Sequence, residues 1–342
     1  MDNPIRNGVL NMQKITVLMS ERTRERVFLD EHYEFLRALG NLHIYDRSDF
    51  SDMEYVYDFV EGTDILISGW GTPKIDAEML VRCPSLKGVV YAGGTIKKRI
   101  TQEFIDSGIP ISDSKCVDSK AVGVTTLGLA IAACKGAFFL PDELRNGLWR
   151  ENYHKVVDFC GLKIGIVGAG VAGREFIRLL QNFDVEILVY DPTLSVEEIK
   201  EQFNARKCEL TELMSASDVI SLHAPTLPST KEMINKDNLT LIKDGAVFIN
   251  TARAWLVDEA ALIEECKKGR FTAILDVTNV EPVEADSPLR TLRNVVLLPH
   301  IAGTTNNGVK FIGKHVCEET ERLIKGEPMK CKVDLSKLSV LA

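Results

Sequence analysis

From Lys14 onward the chain alternates short β-branched runs with amphipathic stretches of helical length, and no other feature constrains its fold as tightly. The first series is KITVLMS, the helical stretch Arg24 to Leu39, LHIYD, Ser51 to Val60, DILIS, LKGVVYA and IPISDS. Strands separated by helix-length segments cannot pair as hairpins, so they are expected to lie parallel and to be joined by right-handed crossovers. A second series follows Gly161: KIGIV, VEILVY, DVISLH, AVFIN, AILDV and VVLL. Between the two runs Lys120 to Leu140, apolar nearly all round, which reads as a buried helix connecting two domains. A chain of 342 residues is too long for one ordinary core and suits two. The expected fold class is α/β with two doubly wound parallel-sheet domains. Residues 119–303 form one, and residues 13–118 with 304–342 form the other. The second of these is discontinuous because the helical stretch Val309 to Lys325 is expected to return to it. Local signals agree: Ser195 with Glu198 forms a capping box, and Asp258 and Gly269 bracket a helix through AALIEECKK.

Composition narrows the class. Apolar residues make up 45% and charged residues 26%, the balance of a chain that buries real cores. A net charge of -8 without a basic stripe argues against nucleic acid as a partner. The eight cysteines form no CxxC pair and have no histidine at ligand spacing, so the expectation is a reduced, cytoplasmic protein without structural zinc. The opening MDNPIRNGVLNMQ lacks the basic-then-apolar order of a signal peptide, and no apolar run is expected to approach the ~20 residues of a membrane span.

The stretch GAGVAG, Gly168 to Gly173, follows KIGIV and opens a helical pattern with Ala172, Phe176, Leu179, Leu180 and Phe183 on one face. This context suits a dinucleotide. Gly168 permits a tight turn, Gly170 lets the backbone approach a pyrophosphate, and Gly173 lets the helix pack close to the strand. The amides of Val171 and Ala172 then face the negative charge. Three glycines alone also describe an ordinary turn. Asp191 separates the two readings, because it ends the next strand eighteen residues after Gly173, where a carboxylate that binds a ribose diol belongs. The following DPTLSVEE brings no arginine to hold a 2′-phosphate, so NAD is expected in preference to NADP.

Three polar groups remain on later strand ends: Arg253 in NTARAWLVDEAAL, Glu281 in DVTNVEP and His300 in LLPHIAGTT. Singly, each reads as a surface arginine, a turn glutamate and a packing histidine. Jointly they form a chemical set: a guanidinium that clamps a carboxylate, an imidazole, and a carboxylate to orient it. With these residues the sequence resembles the D-isomer-specific 2-hydroxyacid dehydrogenase family, which is NAD-dependent. The matching stretches are VGAGVAGREF with VYDP, HAPTLPSTKEMIN, LIKDGAVFINTAR with LVDEAALIEECKKGR, ILDV with EP, SPLRTLRNVVLLPHIAG, and RNGLW ahead of the glycine loop, within about Thr63 to Ile324.

The resemblance implies a Rossmann NAD-binding domain, a flavodoxin-like substrate domain, a homodimer, and interconversion of a 2-oxo acid with the (R)-2-hydroxy acid by hydride transfer. It places catalysis on Arg253, Glu281 and His300, with no metal. NAD contacts fall on Gly168, Gly170, Val171, Ala172, Gly173, Asp191, Ala224, Pro225, Thr230, Thr251, Ala252, Arg253, Asp276, His300 and Gly303. Substrate contacts fall on Trp70, Gly93, Gly94, Thr95, Arg253 and His300, the two glycines presenting backbone amides to the carboxylate. His300 would give a proton to the carbonyl oxygen, Glu281 would stabilise the imidazolium, and Arg253 would hold the carboxylate and polarise the carbonyl.

The chain departs from the family pattern at Ala254 and Trp255 after the arginine, at Lys97, Lys98 and Arg99 in YAGGTIKKR, and at Val124. SGWGT lacks the arginine that helps phosphoglycerate dehydrogenases hold a phosphate, and Glu281 stands where formate dehydrogenases carry glutamine. The changes bear on substrate, and Trp70 and Trp255 would favour one larger than glyoxylate. A dinucleotide-sensing corepressor resembling the C-terminal-binding proteins stays open as the alternative, since those proteins keep a triad too.

Overall fold

The computed structural model describes residues 12–337; the opening MDNPIRNGVLN and residues 338–342 of the expected discontinuous domain lie outside the described residues. The described chain divides into two compact units, residues 12–118 with 305–337, and residues 119–304.

The first unit is built on five parallel strands: β1 (Lys14–Leu18), β2 (Asn41–Ile44), β3 (Ile65–Gly69), β4 (Gly88–Ala92) and β5 (Ile111–Ser112). Their order is β2-β1-β3-β4-β5, the flavodoxin-like arrangement. Strands β3 and β4 are buried at every residue, which explains why ILISG and GVVYA read as continuous apolar runs rather than alternating ones. The stretch Arg24 to Leu39 divides into helices Glu21–Val27 and Asp30–Leu39, because Phe28 turns extended and its amide caps the first helix on Arg24 O. The helix Asn306–Lys325 returns to this unit and packs Val309, Ile312 and Val316 into a core with Ile15, Val17, Leu36, Ile67 and Val90. It ends at Gly326, whose left-handed φ of 70° glycine takes without strain.

The second unit holds seven parallel strands: β6 (Lys163–Val167), β7 (Glu186–Tyr190), β8 (Arg206–Lys207), β9 (Val219–Leu222), β10 (Val247–Asn250), β11 (Thr272–Leu275) and β12 (Val295–Leu297). The order β12-β11-β10-β9-β6-β7-β8 reverses direction between β6 and β9, as in a Rossmann sheet. Two residues of β8 carry no period, so the sequence shows no sign of it. The capping box at Ser195 is formed in both directions, at 3.1 and 2.7 Å, and Asp258 caps Glu259–Lys267 through Ala261 N.

Three expectations need correction. The connecting helix runs Lys115–Cys134 rather than from Lys120 to Leu140, and it is buried along one face only: Gly123, Thr126, Ala130 and Ala133 are covered while Val124 is 57% exposed. In length and mean hydropathy (1.3) it is apolar enough to cross a membrane, contrary to the expectation that no run approached that length, yet Ala130, Ala133 and Cys134 belong to the core of the second unit. The cysteines are not all free. Cys116 and Cys331 of the first unit form a disulfide with a Cα–Cα distance of 6.6 Å. A sequence separation of 215 residues hid that pairing.

Candidate active site

In the second unit the carboxyl ends of the strands carry the polar residues singled out above. After β6, Gly168 has φ +95°, and a Cβ there would lie 2.7 Å from Ala224 N. A Cβ at Gly173 would collide with Gly168 O, so the helix Val171–Leu180 sits on the loop only because both positions are bare. A Cβ at Gly170 would instead enter open space. The first amide bonded within this helix is Arg174 N, to Gly170 O, which leaves the N–H groups of Val171, Ala172 and Gly173 without intrahelical partners. A bare backbone edge with free amides at a helix N-terminus fits a pyrophosphate.

Asp191 is 8% exposed, and its carboxylate ties the loop together: Oδ2 accepts from Ala169 N at 2.8 Å, and Oδ1 accepts from Thr193 N and Oγ1 at 2.9 and 2.6 Å. A carboxylate offers about four acceptor sites, so one remains for a ribose hydroxyl.

Past β9, Ala224 and Pro225 open a loop that Thr230 braces, its hydroxyl donating to Pro225 O at 2.7 Å and accepting from Leu227 N. Trp255 fixes the same loop through Nε1 to Leu227 O at 2.8 Å. At the end of β10, Thr251 is buried and shares a hydroxyl contact of 3.0 Å with Thr126. The fully buried Asn250 accepts from Ala252 N and donates to Arg253 O, which shapes the turn that presents Arg253. Sequence reasoning passed over Asn250; a polar residue ending an apolar strand was the available signal. The Arg253 side chain is exposed and spends one donor on Ala252 O, so most of its five-donor fork is uncommitted.

His300 and Glu281 meet, with Nδ1 to Oε2 at 2.8 Å. An ionised carboxylate only accepts, so Nδ1 carries the proton and Nε2 is the atom available to a ligand. Asp276 positions this segment: its two oxygens accept from Ile301 N and Ala302 N at 2.7 and 2.9 Å, locking the turn in which His300 adopts φ +55°. Gly303 follows, half-buried.

The first unit carries the remaining candidates. Trp70 follows β3 and packs beside Gly93, where a Cβ would lie 3.0 Å from its Nε1. The Gly93 amide closes a tight turn onto Tyr91 O at 2.9 Å. Arg99 belongs to the loop's frame, its guanidinium donating to Thr72 O at 2.7 Å. Lys98 is exposed and Lys97 half-buried, its ammonium held below the usual lysine range by burial and by the nearby Lys115.

The NAD-binding domain of the D-isomer specific 2-hydroxyacid dehydrogenases, as a family model, matches residues 127–302. A hydroxypyruvate reductase of Blautia hydrogenotrophica is 29% identical over 313 residues, covering 88% of this chain and 94% of that protein. The D-3-phosphoglycerate dehydrogenase of Methanocaldococcus jannaschii is 29% identical over 275 residues and 80% of this chain, which spans about half of it, 52%. Among solved structures, a glyoxylate reductase from Paecilomyes thermophila superposes with a TM-score of 0.72 at 25% identity, over 95% of this chain and 99% of that one.

Proposed function

The chain belongs to the D-isomer specific 2-hydroxyacid dehydrogenase family of NAD-dependent oxidoreductases, and on that premise we propose that it interconverts a 2-oxo acid of three or more carbons with the (R)-2-hydroxy acid. The Glu281–His300 contact at 2.8 Å carries this reading, because it turns a surface histidine into an oriented proton donor. NADH, when bound, supplies the hydride to C2. Gly170, Val171 and Ala172 would hold its pyrophosphate and Asp191 its adenosine ribose. As negative charge develops on the substrate oxygen, His300 Nε2 delivers a proton to it and Glu281 stabilises the imidazolium before that transfer. Arg253 clamps the substrate carboxylate with its planar fork, a role lysine cannot reproduce. Asp276 and Asn250 are positioning residues, one for the His300 turn and one for the Arg253 turn.

Substrate size is read from the first unit, where Trp70 and the ammoniums of Lys97 and Lys98 favour a polyhydroxylated or second anionic group over glyoxylate. The test is NADH oxidation with glyoxylate, hydroxypyruvate, pyruvate, and branched and sugar-derived 2-oxo acids, run in parallel on the parent and Arg253→Ala. The expected result is turnover of a substrate larger than glyoxylate, with a KM raised and a kcat lowered in the variant. No turnover of any 2-oxo acid, or an unaffected variant, refutes the assignment.

A further inference from the structure

The first unit holds a cluster that the dehydrogenase chemistry does not use: Cys116, Cys331 and His315, whose sulfurs and imidazole nitrogen all lie within 4.8 Å of one another. We propose that Cys116 and Cys331 are a reversible thiol–disulfide site, a clasp that cross-links the discontinuous unit when oxidised and leaves its C-terminal segment held only by noncovalent contacts when reduced.

The backbone presents the two sulfurs to each other without help from the bond between them. Val333 N donates to Ile111 O at 2.8 Å and Asp113 N donates to Cys331 O at 3.2 Å, so the segment around Lys332 lies antiparallel along β5. Glu319, fully buried on the returning helix, accepts from Lys330 N at 2.9 Å and fixes the same segment from its other side. Cys116 sits in the first turn of Lys115–Cys134, directly after β5. Reduced thiols therefore stay within reach of one another, which is what reversible closure requires.

Accessibility separates this pair from the five buried cysteines. Cys116 and Cys331 are half-buried, whereas Cys83, Cys134, Cys208, Cys266 and Cys317 are buried. Burial pushes the thiols of Cys134 and Cys208 up to about 11 and those of Cys266 and Cys317 up to about 12, which keeps them inert. The exposed Cys160 belongs to the second unit. His315 Nε2 lies 3.9 Å from Cys116 Sγ, placed to stabilise a thiolate there. The same nitrogen donates to Asp113 O at 3.0 Å and so keeps its proton, which favours thiol chemistry over metal ligation.

The step balances with a small-molecule disulfide as oxidant. The Cys116 thiolate attacks one sulfur of that disulfide and expels the other as a thiolate, leaving a mixed disulfide on the protein. Cys331, losing its proton, attacks the Cys116 sulfur and expels the second small thiolate. The protein loses two electrons and two protons, and the small disulfide is reduced to two thiols.

The consequence follows from topology. The first unit needs residues 305–337 to complete its core, and the whole second unit intervenes in sequence. A cross-link spanning 215 residues holds the two pieces together and removes much of the loop entropy of the open chain.

The experiment equilibrates the full chain in buffers of reduced and oxidised glutathione, blocks free thiols, identifies cross-linked peptides by mass spectrometry and measures the thermal midpoint. The expected result is a Cys116–Cys331 peptide whose yield follows the glutathione ratio, with a midpoint about 5 °C or more lower in the reduced protein. Cys116→Ser and Cys331→Ser should match the reduced parent in both buffers, and Cys160→Ser should behave as the parent. If either cysteine variant does not fold, the reduced and oxidised parent still provide the comparison. The proposal is overturned if no cross-linked peptide forms at the most oxidising ratio, if reduction leaves the midpoint unchanged, or if Cys160 is the residue cross-linked.

Discussion

At the scale of single residues, charge and hydrogen bonding set what each group can do. Replacing His300 by asparagine removes the proton donor, and kcat for 2-oxo acid reduction should fall by about 10²-fold or more. Glu281→Gln is the sharper test, because the amide it introduces could donate to His300 Nδ1 and admit the wrong tautomer. The expected outcome is a lowered kcat with a nearly unchanged KM for NADH, and unchanged kcat would separate the two residues functionally. These positions were legible from sequence because chemistry needs particular residue types at strand ends. Asp113 was not, since burial decides its behaviour. Desolvation pushes its carboxyl up to about 6 from 3.8 despite the opposing pull of Lys115. A raised folded value means that the stability it contributes is full below pH 3.8 and is lost as pH rises through about 6. Asp113→Asn should therefore be more stable than the parent by up to about 3 kcal/mol at pH 7.5, a gap closing toward pH 4. Urea denaturation at both pH values measures it; an equal gap at the two would exclude titration of Asp113 as the cause. His223 has the opposite sign. Burial holds its imidazole down at about 4, with Nδ1 unpaired, so it costs stability as pH falls from 6.5 toward 4.

At the scale of elements, the unit β6–glycine loop–Val171–Leu180 with Asp191 is rigid because each part fills the space that another leaves. Gly173→Ala would push the helix off Gly168 O, and a core overpacked in this way typically loses about 1–3 kcal/mol. The same displacement moves the free amides, so NADH affinity should fall with it, as titration by nicotinamide fluorescence would show. Unchanged affinity would mean that the loop does not hold the dinucleotide. On the proposed function Asp191 would set the choice of dinucleotide: three donors keep its carboxylate in place, and a 2′-phosphate would meet that negative charge. NADH should therefore exceed NADPH in kcat/KM, and comparable values would remove the argument. Most elements were legible as apolar runs between helical periods. What escaped were features set by tertiary contact: the two residues of β8, the break at Phe28, and the start of the connecting helix at Lys115. Each is too short, or too ordinary in composition, to leave a period of its own.

At the scale of the whole chain, the parallel sheets were foreseeable from the crossover pattern, whereas their strand order came only with the family resemblance, because a crossover pattern fixes direction and hand while leaving open which edge a strand joins. The Cys116–Cys331 pairing was equally invisible, since only the returned helix brings residue 331 beside β5. One whole-molecule expectation still asks for a surface, namely the homodimer implied by family resemblance. Between residues 124 and 157 the second unit carries several large apolar side chains that its own core leaves uncovered. Trp149 is 72% exposed, Val124 57%, Tyr153 56% and Leu144 52%. Large apolar groups left this exposed can be covered by a partner, and in a homodimer a second copy of the same stretch is the self-complementary one. We propose that this stretch is the dimer interface. Sedimentation equilibrium should then give about twice the monomer mass of 38.1 kDa at micromolar concentration. Trp149→Asp with Leu144→Asp should shift the protein toward monomer and lower its thermal midpoint, while Val81→Asp, an equally exposed apolar position in the first unit, should not. A monomeric parent, or a dimer indifferent to the double change but broken by Val81→Asp, would place the interface elsewhere.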